Sequence, residues 1–157
     1  MSEELAGRLI RSLTRRGLTV AVAESLTGGL VVAELVSVPG ASAVVRGGIV
    51  AYATDLKHEL LGVDAALLAA GGAVQAAVAE QMASGVRFRL NADVGLATTG
   101  VAGPDPQDGH PPGLVWIAVA TGGQVRSVRL ELGGDRAAIR RETVEVVIEA
   151  ALESFPE

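Results

Sequence analysis

Leucine recurs every fourth residue at Leu5, Leu9 and Leu13, with Glu3 and Glu4 before it, Arg15 and Arg16 after it, and Gly17 just beyond. Apolar positions one turn apart, acids in the first turn and bases in the last describe an amphipathic helix that stops at the glycine. Leu18–Ala23 is short, apolar and partly β-branched, which predicts a strand. Glu24–Gly29 then forms a tight turn, and a second helix runs from it through Val36. Gly48–Ala53 reads as another buried strand. Thr54-Asp55 stands where a cap is needed for a helix carrying Lys57, His58, Leu60 and Leu61 up to Gly62, with His58 facing solvent, and Asp64 caps a further short helix.

Between Val74 and Leu90 the apolar residues Val74, Ala77, Val78, Met82 and Val86 fall at helical spacing, and Val94–Ala97 follows as a strand that runs into a loop, Thr98–Pro104. Leu114–Ala120 and Val125–Leu132 flank Thr121-Gly122-Gly123-Gln124, a hairpin signal, and Val128, Leu130 and Leu132 alternate with Arg129 and Glu131. Asp135 caps a last helix from Arg136 to about Ser154. Strands alternating with helices imply parallel pairing, and the hairpin adds one antiparallel pair. The expected fold is a three-layer α/β/α sandwich around a mixed, mostly parallel sheet, as one domain over residues 1–157.

Composition narrows the function classes. With 157 residues, 49% hydrophobic, the chain can close a core. Its mean hydropathy is +0.40, yet the longest uncharged stretches are interrupted by glycine and proline and fall short of the roughly 20 apolar residues that span a bilayer. The acidic opening Met-Ser-Glu-Glu is unlike the basic start of a signal peptide. No membrane association and a soluble cytoplasmic protein are expected. Thirteen Lys and Arg against 18 Asp and Glu leave a net charge of −5, and aromatics make up 3%, so neither phosphate neutralisation nor base stacking supports nucleic-acid binding. The absence of cysteine and the presence of only two histidines, His58 and His110, argue against a metal site.

Three strand ends could carry chemistry, since ligands of such folds collect there. In Glu24-Ser25-Leu26-Thr27-Gly28-Gly29, the glycine pair at a helix start could bring backbone N–H groups to an anion, or Ser25 or Thr27 could simply cap the helix. Tyr52 and Lys57 lie five residues apart across a strand-to-helix turn. A buried lysine with a lowered pKa can deprotonate a serine, whereas an exposed one is a solvated surface group. Thr98–Asp105 is Gly-rich enough for a flat or phosphorylated ligand to approach its backbone, but matches neither a Walker motif nor Gly-x-Gly-x-x-Gly.

In order along the chain, Ala23-Glu24-Ser25-Leu26-Thr27-Gly28-Gly29, Gly47–Tyr52 with Lys57, Gly71-Gly72-Ala73-Val74, Thr99–Pro104, Gly113–Ala118 and Gly134–Arg140 resemble the CinA C-terminal domain family of competence/damage-inducible proteins. The resemblance covers nearly the whole chain. It implies an amidohydrolase that converts nicotinamide mononucleotide to nicotinic acid mononucleotide and ammonia in pyridine-nucleotide salvage, without metal or cofactor. Some members carry a molybdopterin-binding-like domain with pyrophosphatase activity, which at 157 residues is not expected here.

By this resemblance Ser25 is the nucleophile, Lys57 the base and then the acid for the leaving ammonia, and Tyr52 an orienting or relay group. Backbone N–H groups near Thr27, Gly28 and Gly29 would stabilise an oxyanion or a phosphate. Thr99, Gly100, Ala102 and Gly103 would line the nucleotide pocket, and Arg140 would meet the phosphate. The chain departs from the family pattern at Leu26, where Cys is usual, at Thr54 for Asn, at Gln75 for Ser, and around Pro111-Pro112-Gly113-Leu114, where Pro and Leu replace Val and Thr. Those departures keep a second reading open, a nucleotide-binding module with weak or no catalysis, beside a third in which the Gly-rich loops are structural only. A homo-oligomer is expected from the apolar composition and from the family.

Overall fold

The computed structural model describes residues 2–156. Helix α1 (Ser2–Arg16) leads into β1 (Val20–Glu24), α2 (Leu30–Val36), a single 3-10 turn (Ala41–Ala43) and β2 (Val45–Val50). Three helices follow, α3 (Thr54–Leu61), α4 (Ala65–Gly71) and α5 (Ala76–Arg89), and then β3 (Val94–Gly100), β4 (Leu114–Ala120), β5 (Val125–Glu131) and α6 (Arg136–Ser154). The strands form one sheet in the order β2-β1-β3-β4-β5. β1 is parallel to β2 and β3, while β3–β4 and β4–β5 are antiparallel. Helices cover both faces, as the alternation of elements predicts.

Side chains of alternate residues along β1 part the core into two layers. Val20 and Val22 join Leu9, Leu13, Leu35, Ile117, Ile139 and Ile148 under α1, α2 and α6. Ala21 and Ala23 face the other way, with Ala97, Ala118 and Ala120, onto Val78, Ala79, Met82 and Val86 of α5. Small residues on this second face let α5 lie close to the sheet. Gly95 of β3 is part of the same device, because a Cβ there would run into the Ala83 carbonyl oxygen of α5. On the opposite side of α5, Gly85 makes room for the Leu61 carbonyl oxygen at the end of α3. Among the described residues no helix is long and apolar enough to cross a membrane.

Three local expectations need correction. The segment expected as a buried strand over Gly48–Ala53 is β2, Val45–Val50, an edge strand with alternating exposure. It pairs on one side only, and its register slips beside Arg46, where Gly47 takes a positive φ of 151°. Thr98, Thr99 and Gly100, expected in a loop, continue β3 opposite Ile117, Trp116 and Val115 of β4. Gly100 belongs in the ladder because a Cβ there would come within 2.8 Å of Val115. Thr54 and Asp55 do not cap α3, whose N-cap position is Ala53 with no side-chain bond. Asp64 and Asp135 do cap α4 and α6, accepting from the N–H groups of Ala66 and Ala138.

Candidate active site

β1 delivers its last residue, Glu24, to the centre of the sheet's carboxyl end, and the chain reverses there through Gly28 and Gly29 at φ 57° and 105°. The Glu24 carboxylate, fully buried, folds back over the start of α2. Its Oε1 accepts from the N–H groups of Gly29 (3.1 Å) and Val31 (2.9 Å), and its Oε2 from Val32 (3.1 Å). Glu24 therefore satisfies the orphan donors that Ser25 or Thr27 could have capped. Thr27 is buried, with its Oγ1 2.8 Å from Thr98 Oγ1. Ser25 is left with its hydroxyl on the cleft side.

That hydroxyl accepts a hydrogen bond from Lys57 Nζ at 3.0 Å. Lys57 is 1% exposed, and its Nζ also donates to the carbonyls of Ala51 (2.8 Å) and Tyr52 (3.2 Å). Burial pushes the amine down from 10.5 to about 8. In the neutral amine the two remaining N–H groups can keep both carbonyls, which turns the lone pair towards Ser25 Oγ. The end of β2 and the first turn of α3 thus hold the amine in place through backbone oxygens.

Around Ser25 lies a cleft of about 350 Å³, walled by Leu26, Tyr52, Val74, Thr99–Gly103, Asp105, Gln107 and Arg136. Thr99 Oγ1 donates to the Ala73 carbonyl at 2.9 Å, tying β3 to the turn before α5. Arg136 Nη1 donates to the Gly103 carbonyl (2.5 Å) and Nη2 to the Tyr52 hydroxyl (3.2 Å), so one guanidinium bridges two walls at the mouth. The cleft gathers Ser25, Tyr52, Thr99, Gly100, Ala102 and Gly103, with Lys57 behind Ser25.

Other expected residues sit elsewhere. Thr27, Gly28, Gly29 and Arg140 are not in the cleft wall. Arg140 instead braces the turn from behind, its Nε on the Leu26 carbonyl (2.8 Å) and its Nη2 on that of Thr27 (3.5 Å). Tyr52 meets Lys57 through its backbone oxygen, while its 61% exposed side chain turns to Arg136. Gln75 spends its Nε2 on the carbonyls of Leu67 and Gly72. His58 is exposed, with Nδ1 2.8 Å from the Val63 carbonyl.

Arg136 and Glu24 escaped the sequence reading. A cation in the first turn of a helix opposes the macrodipole, and that misfit was the available signal for Arg136. For Glu24 the signal was a carboxylate at the end of a strand, a few residues before a helix whose N-cap position is a glycine with no side chain to offer. Backbone donors in the turn are also mostly taken. Ser25 N–H goes to the Thr98 carbonyl (3.1 Å), Gly28 N–H to the Ser25 carbonyl (3.1 Å) and Gly29 N–H to Glu24. The N–H groups of Leu26 and Thr27 have no acceptor among the described residues.

Comparison with known proteins decides the family: the model of the CinA C-terminal domain matches residues 2–155. The chain belongs to the CinA C-terminal domain family. A CinA-like protein of Frankia casuarinae is 54% identical over 144 residues, covering 90% of this chain and 33% of the relative. One of Gemmatimonas aurantiaca is 42% identical over 154 residues, covering 98% of this chain and 36% of the relative. This CinA-family chain spans about a third of the length of those curated relatives. Among solved structures, the competence/damage inducible protein of Agrobacterium tumefaciens is 40% identical with a TM-score of 0.93, covering 97% of this chain and 94% of that one. A CinA superfamily protein from Klebsiella pneumoniae is 33% identical with a TM-score of 0.95, covering 99% and 98%.

Proposed function

We propose that this chain is an amidohydrolase that acts through Ser25 and Lys57 without a metal, with nicotinamide mononucleotide as substrate. One observation carries the reading: a fully buried lysine, lowered to about 8 and without a carboxylate bonded to it, sits 3.0 Å from a serine hydroxyl at a cleft. Burying an amine in this way opposes folding, and a module that only bound nucleotides would gain nothing from it. This favours catalysis over the binding-module reading.

Neutral Lys57 takes the Ser25 proton as Oγ attacks the carboxamide carbon. The carbonyl oxygen becomes an oxyanion, for which the N–H group of Leu26, a cleft residue, is the donor that this turn leaves open. As the C–N bond breaks, Lys57 returns the proton to nitrogen and ammonia leaves. Water then attacks the Ser25 ester with Lys57 again as base, releasing the carboxylate product and restoring the hydroxyl. Arg136, at the mouth, is the guanidinium best placed for an anionic substituent on the substrate. Self-association belongs to this proposal too, supported by the exposed apolar side chains of Val36 (55%) and Phe88 (83%).

The test is to incubate the protein with nicotinamide mononucleotide and EDTA and to follow ammonia and nicotinic acid mononucleotide. Expected is turnover that survives the chelator and is lost in Ser25→Ala and in Lys57→Ala. Saturable binding of the nucleotide without product would instead establish a binding module.

A further inference from the structure

Tyr52 serves the cleft through its backbone and through its side chain, and the two parts have different partners. Its backbone oxygen accepts from Lys57 Nζ at 3.2 Å, while its hydroxyl accepts from Arg136 Nη2 at 3.2 Å. Lys57 has no donor left for that hydroxyl. Its ammonium offers three N–H groups, which go to Ser25 Oγ and to the carbonyls of Ala51 and Tyr52; its neutral amine keeps the two carbonyls and turns its lone pair to Ser25. Among the described residues the Tyr52 hydroxyl has no hydrogen bond besides the one from Arg136. No proton path runs through it to Lys57 or Ser25.

Arg136 is exposed and begins α6, where a long side chain left to itself would sweep through solvent. Two uncharged acceptors, the Gly103 carbonyl and the Tyr52 hydroxyl, fix its guanidinium across the mouth. Among the described residues no carboxylate is bonded to it, so its charge is not neutralised and its other N–H groups stay open. A fork held in this way meets an anion with less rotamer freedom still to lose.

We propose that Tyr52 is a positioning residue for Arg136: its hydroxyl holds the guanidinium ready for the anionic substituent of the substrate, the phosphomonoester of nicotinamide mononucleotide, and takes no part in proton transfer at Ser25. The assignment rests on the reading of Arg136 as the receptor for that anion and of Ser25 as the nucleophile, and it stands against the relay role that the resemblance allows.

Tyr52→Phe deletes the hydroxyl and leaves the backbone oxygen on which Lys57 depends. Ammonia release would be compared for the wild type, Tyr52→Phe, Arg136→Met, the double variant and Arg141→Gln, an exposed arginine on the same helix. The substrates are nicotinamide mononucleotide and its nucleoside, which lacks the phosphate. For the nucleotide, Tyr52→Phe should raise KM about three- to tenfold, the scale of one hydrogen bond, with kcat within about twofold of the wild type. Arg136→Met should raise KM more than about tenfold, and the double variant should be no worse, because the hydroxyl acts only through the guanidinium. For the nucleoside, kcat/KM should be the same in all of them, and Arg141→Gln should match the wild type with both substrates. Melting temperatures would confirm that each variant is folded, and the split between KM and kcat in Tyr52→Phe decides alone if Arg136→Met is not.

A second readout needs no turnover. An uncharged fluorophosphonate labels Ser25 as Oγ attacks phosphorus, the Ser25 proton passes to Lys57 and fluoride leaves, and nicotinamide mononucleotide in the cleft protects against it. The concentration that gives half protection should rise by the same factors as KM. A fall of about tenfold or more in kcat or in labelling rate for Tyr52→Phe would make the hydroxyl a proton relay and overturn the assignment. So would an unchanged KM and half-protection concentration, or a Tyr52→Phe effect that persists in full beside Arg136→Met. A wild type that is labelled and protected but releases no ammonia removes the amidohydrolase reading and leaves the assignment to be judged by protection. One that releases no ammonia and is either unlabelled or unprotected overturns both.

Discussion

A lysine amine brought to about 8 by burial sets the pH dependence of the proposed reaction. Only the neutral amine can accept the Ser25 proton, so kcat/KM for amide hydrolysis should rise tenfold per pH unit below about 8 and level off above it. Initial rates of ammonia release between pH 6 and 10, a range of about 4 units bracketing that value, would show it. A flat profile, or one that falls as pH rises, would rule Lys57 out as the base. Lys57→Arg keeps the positive charge but cannot deprotonate, so it should cost about 10²-fold or more in kcat at every pH.

The residues that sequence could place were those whose neighbours in the chain are also their neighbours in space. Ser25 and Tyr52 each lie just beyond the end of a strand, and strand ends are legible. Whether Thr27 or Ser25 faces the ligand was not legible, because the answer is Thr98, 71 residues away, which engages Thr27 Oγ1. Arg140 and Arg136 are one helical turn apart, and composition does not distinguish them. Only the crossing of α6 over the turn puts the first behind the nucleophile and the second at the cleft mouth.

At the scale of elements, α2 depends on a residue outside it. Its seven residues, Leu30–Val36, are too few to hold a helix on propensity alone, and its N-cap glycine offers no side chain. Glu24→Ala removes the acceptor of three N–H groups at once and should lower unfolding free energy by at least about 3 kcal/mol, as charge-assisted bonds are lost and donors stay buried. Glu24→Gln should cost less, since one amide oxygen can still serve Gly29 and Val31. Denaturant midpoints of the two variants test the order, and equal midpoints would show that the carboxylate is not what anchors α2.

Gly95→Ala tests the opposite layer. The added methyl meets the Ala83 carbonyl oxygen, which belongs to a helix backbone and cannot rotate away, so a loss of about 2 kcal/mol or more is expected from overpacking. Helices and buried strands were readable because their periodicity follows from which face is buried. The boundaries of β2 and β3 were not. β2 hides on one side only, and Thr98-Thr99-Gly100 look like a loop until β4 is laid beside them.

For the whole molecule, the buried lysine makes stability depend on pH in a direction that can be worked out. Unfolded, Lys57 titrates near 10.5; folded, it titrates near 8. Below about 8 both states are protonated and the folded protein carries the full cost of the buried ammonium, about 3 kcal/mol for that difference in pKa. Between the two values the unfolded chain binds the extra proton, so unfolding stability rises with pH through this window. Other titrating groups act on the same measurement, and comparison with Lys57→Met cancels them. The variant lacks the buried amine, and its loss of hydrogen bonds to the Ala51 and Tyr52 carbonyls is independent of pH. The unfolding free energy of Lys57→Met minus that of the wild type should therefore be about 2 kcal/mol larger at a pH about one unit below the folded pKa than at one about 1.5 units above it. A difference that stayed constant across that range would mean that the ammonium is solvated in the folded protein, and the wild type could not then owe a reactive Ser25 to it.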